Sequence, residues 1–165
     1  EVPVVVVARR APRPHPPGLV VRRVAHRPDR REEEVRPRVA GLAPLVLVGD
    51  FNIAPEPRDV YDPQAMEGQI GFHPAERAAL SELKDWGLED VFRRHHDAAG
   101  LYSWWDYRAA AFRRNMGLRI DHIWATPPAA KLSTECVMDR EMRALPRPSD
   151  HIPVWATFHV ASLPR

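Results

Sequence analysis

The sequence predicts an α/β domain that begins near residue 44 and follows a low-complexity N-terminal segment. Three observations predict this organisation. After residue 44, apolar stretches of strand length recur, one longer stretch has apolar side chains at helical spacing, and turn-forming or Pro-containing segments separate them. The chain has 165 residues, 44% of them hydrophobic and 28% charged, as is typical of a soluble globular domain with a core.

The N-terminal residues 1–43 form a Pro/Arg-rich, low-complexity leader. Residues 1–44 hold ten Arg, no Lys and five acidic residues, a formal charge of +5, whereas residues 45–165 carry −3. Residues 4–8 and 19–24 have the pattern of short strands, but the Pro/Arg run between them supports neither a helix nor a strand ladder. We expect the leader to be poorly ordered or a frame-shifted translation of GC-rich DNA. A nucleic-acid-binding arm is the alternative.

The folded domain is expected to begin with a buried strand over residues 45–48 that delivers Asp50 to its carboxyl end. A helix is predicted over residues 74–86, because Pro74 suits the first helical position and Gly87 suits the stop. One more short helix and four strands are predicted: a helix over 88–94, and strands over 101–105, 118–125, 132–138 and 154–160.

Composition excludes several classes of protein. The longest purely apolar runs are far shorter than the roughly 18 to 20 residues that a transmembrane helix needs. The N-terminus lacks the basic-then-apolar order of a signal peptide. A lone cysteine, Cys136, rules out an intramolecular disulfide framework and a Cys-rich zinc site. We therefore expect a cytoplasmic protein with no membrane partner.

Polar residues concentrate at predicted strand ends, in the segments 49–52, 119–123 and 149–153. A carboxylate beside an amide at a strand end holds and polarises a water molecule. An Asp-His pair binds a divalent ion through its carboxylate and places an imidazole against an anionic oxygen. Together these groups suit the hydrolysis of a phosphodiester.

Each segment also has an ordinary structural interpretation. Asp50 and Asn52 suit a turn that closes a strand, and segment 149–153 suits a cap or a turn. Alternation along a strand puts His122 on the opposite face from Asp121, so we interpret His122 as structural. Asp121 itself is harder to explain in this way, because an unpaired buried carboxylate is costly.

Six segments occur in one order along the chain: 47–55 (LVGDFNIAP), 58–60 (RDV), 73–77 (HPAER), 102–108 (YSWWDYR), 117–122 (GLRIDH) and 147–154 (RPSDHIPV). From about residue 44 to 160 they resemble the second half of the exonuclease III family of abasic-site endonucleases, DNA-repair nucleases within the wider endonuclease/exonuclease/phosphatase group. The resemblance implies an α/β fold that is half of a four-layer α/β-sandwich.

The resemblance also implies an activity. Members of this family use Mg²⁺, with Mn²⁺ as the alternative ion, to hydrolyse phosphodiesters 5′ to abasic sites and to remove nucleotides in the 3′-to-5′ direction from duplex DNA. The implied partner is double-stranded DNA with abasic sites or 3′ ends, bound by a monomer.

Five residues match the family's catalytic and metal-binding positions. Asp50 matches the aspartate that activates the attacking water, and Asn52 the amide beside it that contacts the phosphate. Asp121 matches the carboxylate that is assigned a role at the transition state or at the leaving group. Asp150 matches the acid that helps to form the Mg²⁺ site and partners the histidine, and His151 matches that histidine. The implied metal site comprises Asp150, His151, Asp50 and Asn52.

Five further residues match substrate-binding positions. Trp104, Leu118 and Ile120 fall where the family builds an apolar pocket for a flipped-out sugar without its base. Such a pocket selects abasic sites by shape, because it excludes a normal nucleotide. Arg108 and Asn115 lie where loops meet the DNA backbone. A plain core role for the tryptophans and a solvated loop are the alternatives.

The family's first half supplies an asparagine, a metal-ligand glutamate and a tyrosine for which the leader has no recognisable counterpart. Residues 1–44 contain neither Asn nor Tyr. The alternative function is therefore a truncated, catalytically inactive fragment that binds DNA weakly at most. An exposed sheet face would make such a fragment prone to aggregate.

Overall fold

The architecture is that of a computed structural model, which describes residues 2–8 and 44–160. Its strands are β1 (Val2–Ala8), β2 (Val46–Asp50), β3 (Glu89–Asp90), β4 (Trp104–Trp105), β5 (Gly117–Leu118), β6 (Asp121–Ala125), β7 (Ser133–Met138) and β8 (Val154–Val160). Its helices are α1 (Pro63–Met66), α2 (Pro74–Asp85), α3 (Val91–His95) and α4 (Pro127–Ala130), with 3₁₀ turns at Pro57–Asp59 and Arg140–Ala144. The predicted strand over residues 19–24 lies outside the described residues. Poor order was expected for all of residues 1–43: residues 9–43 also lie outside the described residues, whereas residues 2–8 form β1.

The described strands pair in three antiparallel groups. One sheet has the order β1-β8-β7, a second has the order β2-β6-β3, and β4 pairs with β5. The predicted strand over residues 154–160 matches β8, and the one over residues 4–8 lies within β1. In the second sheet, β2 and β6 run in opposite directions, so the end of β2 meets the start of β6.

Helix α2 begins and ends where the sequence predicts. Pro74 is its first residue, and the Nδ1 atom of His73 accepts a hydrogen bond from the Ala75 N–H at 3.1 Å. Glu76 closes this capping box by accepting the His73 N–H at 3.1 Å. Gly87 follows the helix with a φ of +94°, a left-handed conformation that glycine adopts without a Cβ clash.

The strand predicted over residues 118–125 is interrupted in the structure. It divides into β5 and β6, with Arg119 and Ile120 between them. At the break the Arg119 N–H donates to the Asp59 carbonyl at 2.9 Å, and the Ile120 carbonyl accepts from the Phe51 N–H at 2.9 Å. These backbone groups are satisfied outside the ladder, so the chain changes partners just before Asp121.

The expectation of a buried first strand is wrong. In β2 and the residue before it, Leu45 is 48% exposed, Leu47 39% and Val48 36%. Within the described residues β2 pairs only with β6, so it lies at the edge of its sheet. The predicted strand over residues 101–105 is also shorter, because only Trp104 and Trp105 pair with β5.

The main hydrophobic core lies between the two larger sheets and their helices. It contains Phe92 from α3, Ile123 from β6, Cys136 from β7 and Val154 from β8, all buried. This core holds the Asp121 end of β6 in a fixed place. No helix in the described ranges has the length and apolar character needed to cross a membrane.

Candidate active site

The register of β2 with β6 brings two carboxylates together. Asp50, the last residue of β2, lies directly opposite Asp121, the first residue of β6. Directly opposed residues of an antiparallel pair have Cβ atoms about 4.5 to 5.5 Å apart. Two residues separated by 71 positions in the chain therefore share one end of a sheet.

His151 completes the cluster. A β-bridge with Trp104 holds its backbone, and its Nδ1 atom lies 2.9 Å from the Oδ2 atom of Asp121. Its Nε2 atom lies 3.8 Å from the Oδ2 atom of Asp50. The ligand atoms of Asp50, Asp121 and His151 all lie within 4.8 Å of one another. The structure thus brings together three of the residues that the sequence predicted as catalytic.

The surroundings of His151 favour its protonated form. Burial disfavours the imidazolium, but the hydrogen bond and charge of Asp121, with the charges of Asp50 and Asp150, raise the pKa of His151. In the neutral ring, the Asp121 carboxylate can only accept, so Nδ1 carries the proton and Nε2 faces Asp50. Asp121 thereby orients the imidazole and favours its charged form.

Ser103 supports Asp121, a contact that the sequence analysis did not predict. The Ser103 hydroxyl oxygen accepts the N–H groups of Ile120 and Asp121, each at 3.0 Å, and Ser103 is fully buried. Its carbonyl also accepts the Ile152 N–H at 2.9 Å. Ser103 therefore links the Asp121 strand to the His151 segment, and the only sequence signal was its place between motif aromatics.

Asn52 lies at a strained turn beside Asp50. Its backbone has a φ of +56°, and its N–H donates to the Oδ1 atom of Asp50 at 3.0 Å. Asn52 is exposed while its neighbours Phe51 and Ile53 pack against the buried Trp124. The turn therefore presents the Asn52 side chain at the surface next to the Asp50 carboxylate.

The expected partnership between Asp150 and His151 is corrected by the structure. Asp121 is the carboxylate that contacts the His151 ring, whereas the Oδ2 atom of Asp150 accepts the Trp104 indole N–H at 3.2 Å. Consecutive residues of an extended segment point to opposite sides, so Asp150 and His151 face different neighbours. The three-residue ligand cluster contains Asp121 beside Asp50 and His151, and the role of Asp150 at the metal site stays a prediction.

A buried ionic network lies behind the cluster. The Arg119 guanidinium, fully buried, donates to Asp59 at 2.6 and 3.2 Å and to Asp90 at 2.7 Å. Arg93 makes a further ion pair with Asp59. Burial raises the pKa of the Asp59 carboxyl, but the charges and hydrogen bonds of Arg119 and Arg93 outweigh it and lower that pKa. The sequence places Arg119 and Asp59 in motifs but does not predict their pairing.

His122 belongs to this network and lies away from the cluster, as its structural interpretation predicted. Its Nδ1 atom lies 3.1 Å from an Arg119 nitrogen, and its Nε2 atom lies 2.8 Å from the Ile53 carbonyl oxygen. Burial and the Arg119 charge lower the pKa of His122 to about 4. The ring is therefore neutral at physiological pH.

The three residues expected to form a sugar pocket lie together, but two of them are buried. Leu118 and Ile120 are 7% and 6% exposed in a cluster with Phe72, and the half-buried Trp104 packs against it. An open cleft of about 370 Å³ lies elsewhere, between Asp121 and His151 and the segment 142–149. The role of Trp104, Leu118 and Ile120 in sugar recognition stays a prediction.

The two loop residues expected at the DNA backbone differ in exposure. The Arg108 side chain is 88% exposed and forms a two-nitrogen contact with Asp106 at 3.1 and 3.0 Å. Asn115 is half-buried, donates to the Gly100 carbonyl at 3.1 Å and accepts from the Trp105 indole at 3.3 Å. Arg108 is thus exposed and paired with Asp106, whereas Asn115 braces its own loop, and the contact of both residues with the DNA backbone stays a prediction.

The donor set of the cluster fits a hard divalent cation. Asp50 and Asp121 offer carboxylate oxygens, and Mg²⁺ is commonly bound by one or two carboxylates together with substrate phosphates. The third member, an imidazole, suits a transition metal such as Zn²⁺ or Fe²⁺ better than Mg²⁺. The two carboxylates are therefore the primary candidate ligands, and the roles of Asn52 and Asp150 as ligands stay predictions.

Comparisons with known proteins place this geometry in a family. Residues 1–151 match the model of the endonuclease/exonuclease/phosphatase family. The exodeoxyribonuclease III of Haemophilus influenzae is 38% identical over 122 residues, which are 70% of this chain and 46% of the relative. A Bacillus subtilis exodeoxyribonuclease is 38% identical over 112 residues, covering 67% of this chain and 43% of the relative.

Solved structures show the same likeness. The 3′ phosphatase NExo from Neisseria, bound to a product DNA hairpin, is 45% identical with a TM-score of 0.70, and the match covers 78% of this chain and 50% of that one. An AP endonuclease from Archaeoglobus fulgidus is 35% identical with a TM-score of 0.69, and the match covers 78% of this chain and 52% of that one. This chain therefore spans about half the length of the relatives that it matches.

Proposed function

The chain belongs to the endonuclease/exonuclease/phosphatase family, and on that premise we propose that it carries the hydrolytic residues of a DNA-repair nuclease of exonuclease III type. The proposed reactions are cleavage of duplex DNA 5′ to an abasic site and 3′-to-5′ exonuclease action. The observation that carries the proposal is the cluster of Asp50, Asp121 and His151 at one end of the second sheet.

In the proposed reaction the oxygen of a water molecule attacks phosphorus and one phosphorus–oxygen ester bond breaks. Asp50 takes the proton of the attacking water, and the freed sugar oxygen takes a proton from a solvent water molecule as it leaves; Asp50 then returns its proton to the solvent. His151, held by Asp121 and favoured in its charged form, faces a phosphate oxygen and stabilises the charge that develops there. Asn52 donates its amide to the same phosphate group.

A divalent cation, Mg²⁺ in the proposal, would be held by the Asp50 and Asp121 carboxylates and by substrate phosphate oxygens. When bound, it would withdraw electron density from the phosphoryl group and so favour attack by water. His151 and Asn52 would hold and orient the phosphate beside the cation.

Duplex DNA is the proposed partner, as the relatives' names and the hairpin-bound neighbour suggest. The exposed Arg108 would contact the backbone, and Trp104 with Leu118 and Ile120 would border the sugar of an abasic site. Removal of a base lowers the free-energy cost of flipping the nucleotide, so a small apolar surface suffices to select abasic sites over intact nucleotides.

Incision of a labelled duplex tests the proposal. The full chain is incubated with Mg²⁺, or with EDTA, and a duplex that carries one tetrahydrofuran abasic site or the matched intact duplex. We expect incision 5′ to the abasic site that depends on Mg²⁺, and a loss of about 100-fold or more in Asp50→Asn. Asp85→Asn, at the exposed end of α2, is the matched control and should retain the rate. Incision by Asp50→Asn at the control rate would refute the assignment.

A second candidate function is DNA binding without cleavage. The match to 43 to 52% of the relatives and neighbours described above is compatible with it. The same experiment distinguishes it: a duplex that is retained in a binding assay but never incised, while a full-length relative cleaves it, supports binding alone.

A further inference from the structure

We propose that His122 is a positioning residue for Asn52, because it holds the turn that presents the Asn52 amide beside Asp50. The inference rests on the proposed function, in which Asn52 contacts the phosphate. Neither the sequence motifs nor the ligand cluster assigns His122 a part in the reaction.

The hydrogen bonds of His122 have only one chemically consistent direction. An Arg guanidinium donates and cannot accept, so the Nδ1 atom of His122, 3.1 Å from Arg119, is the acceptor. The proton therefore sits on Nε2, which donates to the Ile53 carbonyl at 2.8 Å. Arg119 thus selects the tautomer that can hold Ile53.

These contacts run from Arg119 through His122 to Ile53, and their Arg119 side is rigid. Arg119 is fully buried and its other nitrogens are held by Asp59 and Asp90. His122 is also fully buried, and it lies opposite Gly49, next to Asp50, in the β2–β6 register. The imidazole therefore has a fixed position relative to the strand that ends at Asp50.

On its other side His122 contacts the turn that contains Asn52. His122 bonds the carbonyl of Ile53, which follows Asn52, and contacts the ring of Phe51, which precedes it, edge to face with centroids 5.5 Å apart. Between these two anchors Asn52 adopts its φ of +56°. Asn adopts this left-handed conformation more readily than most residues, and the two contacts of His122 lie on either side of it.

Loss of the imidazole would leave the Ile53 carbonyl without this donor and would free one side of the turn. Three backbone N–H groups of the turn would keep their bonds: Phe51 to the Ile120 carbonyl at 2.9 Å, Asn52 to the Asp50 carboxylate at 3.0 Å, and Ala54 to the Gly71 carbonyl at 2.7 Å. We expect the turn to remain folded but to present Asn52 less accurately, since small displacements of a positioned group cost large factors in rate.

The test combines two substitutions of His122 with a substitution of Asn52. His122→Gln keeps both an acceptor and a donor, whereas His122→Phe keeps a ring and loses both. We expect His122→Phe to lower the single-turnover incision rate at saturating abasic-site duplex about tenfold, and His122→Gln to restore most of it. In an Asn52→Ala background, His122→Phe should lower the rate by less than about twofold, because the two residues act as one unit.

Two results would overturn the inference: an equal fold-loss from His122→Phe in both backgrounds, or a loss in His122→Gln as large as in His122→Phe. Either result would mean that His122 acts only through general stability. Trp124→Phe is the control, because Trp124 lies in the same strand and in the hydrophobic cluster against which Phe51 and Ile53 pack, but its indole N–H donates no bond to that turn.

A second readout keeps the inference separate from the proposed function. If the unsubstituted chain fails to incise, the proposed function fails, and amide hydrogen exchange decides the positioning role. We expect His122→Phe to speed exchange at Asn52 and Ala54 about tenfold, with no such change at Ala156 in β8 and none in Trp124→Phe. Unchanged exchange at Asn52 and Ala54 would overturn the inference.

Discussion

At the scale of single residues, the choice of partner for His151 is the most informative contact. Two aspartates compete for the role: Asp150 is adjacent in sequence and Asp121 is adjacent in space. The Asp121 carboxylate lies 2.9 Å from the ring, while Asp150 accepts the Trp104 indole N–H. Contact with a carboxylate stabilises the imidazolium more than a nearby charge that makes no hydrogen bond to it.

This difference predicts how His151 titrates. In Asp121→Asn the pKa of His151 should fall, because the ring loses both its hydrogen bond to a carboxylate and that charge. In Asp150→Asn the fall should be smaller, because Asp150 raises the pKa of His151 through its charge, whereas Asp121 adds a hydrogen bond to its charge. NMR titration of the imidazole protons in the presence of EDTA measures both variants. An equal or larger fall in Asp150→Asn would contradict the pairing.

At the scale of secondary-structure elements, the β4–β5 pair, although each strand has only two residues, positions both Asp121 and His151. It pairs Trp104 with Leu118 and Trp105 with Gly117, and Trp104 in turn forms the bridge to His151. Ser103, just before β4, holds the start of β6 through two backbone N–H groups. A two-residue strand therefore connects the histidine segment with the Asp121 strand.

Gly117 is the tightest point of this pair. A Cβ atom at Gly117 would lie 2.5 Å from the Trp105 indole nitrogen, 2.7 Å from a Tyr102 ring carbon and 2.8 Å from the Trp104 carbonyl oxygen. We expect Gly117→Ala to lower the free energy of unfolding by about 3 kcal/mol, because buried rings and backbone must move.

The control for this prediction is Gly68→Ala. Gly68 has a φ of +77° and no atom within 4 Å of its ideal Cβ, so that variant should lose only about 1 kcal/mol to backbone strain. Urea unfolding of both variants measures the difference. A loss in Gly117→Ala no greater than that in Gly68→Ala would show that the β4–β5 contact is looser than described.

At the scale of the whole molecule, the exposed apolar face of β2 is the feature with the largest consequence. Leu45 and Leu47 point to the same side of the strand and are 48% and 39% exposed. Within the residues that the structure describes, β2 has only β6 as a hydrogen-bonded neighbour. An apolar edge strand of this kind favours association between molecules.

Self-association should therefore respond to a charge placed on β2. We expect Leu47→Lys to shift the chain towards the monomer in sedimentation velocity runs at several concentrations, because a charged edge strand resists pairing. Ile70→Lys is the control: Ile70 is the more exposed residue, at 87%, but it lies outside any strand. An equal shift in the two variants would indicate a general charge effect instead.

The sequence alone was sufficient for several features because they depend on local chemistry. The α2 boundaries follow from Pro74 and Gly87, and β8 follows from an apolar run with turn signals on both sides. The break between β5 and β6 could not be predicted in this way. It depends on hydrogen bonds to Phe51, Asp59 and Ser103, which are distant in the chain.

By itself the sequence determined which chemical groups this protein carries at its strand ends: the carboxylates of Asp50 and Asp121, the Asn52 amide and the His151 imidazole. Only the tertiary structure decided how they are paired. The Asp121–His151 contact spans 30 positions and the Arg119–Asp59 ion pair spans 60. Such pairs are chosen by strand register and by the cost of burying an unpaired charge, and neither quantity exists until the chain is folded.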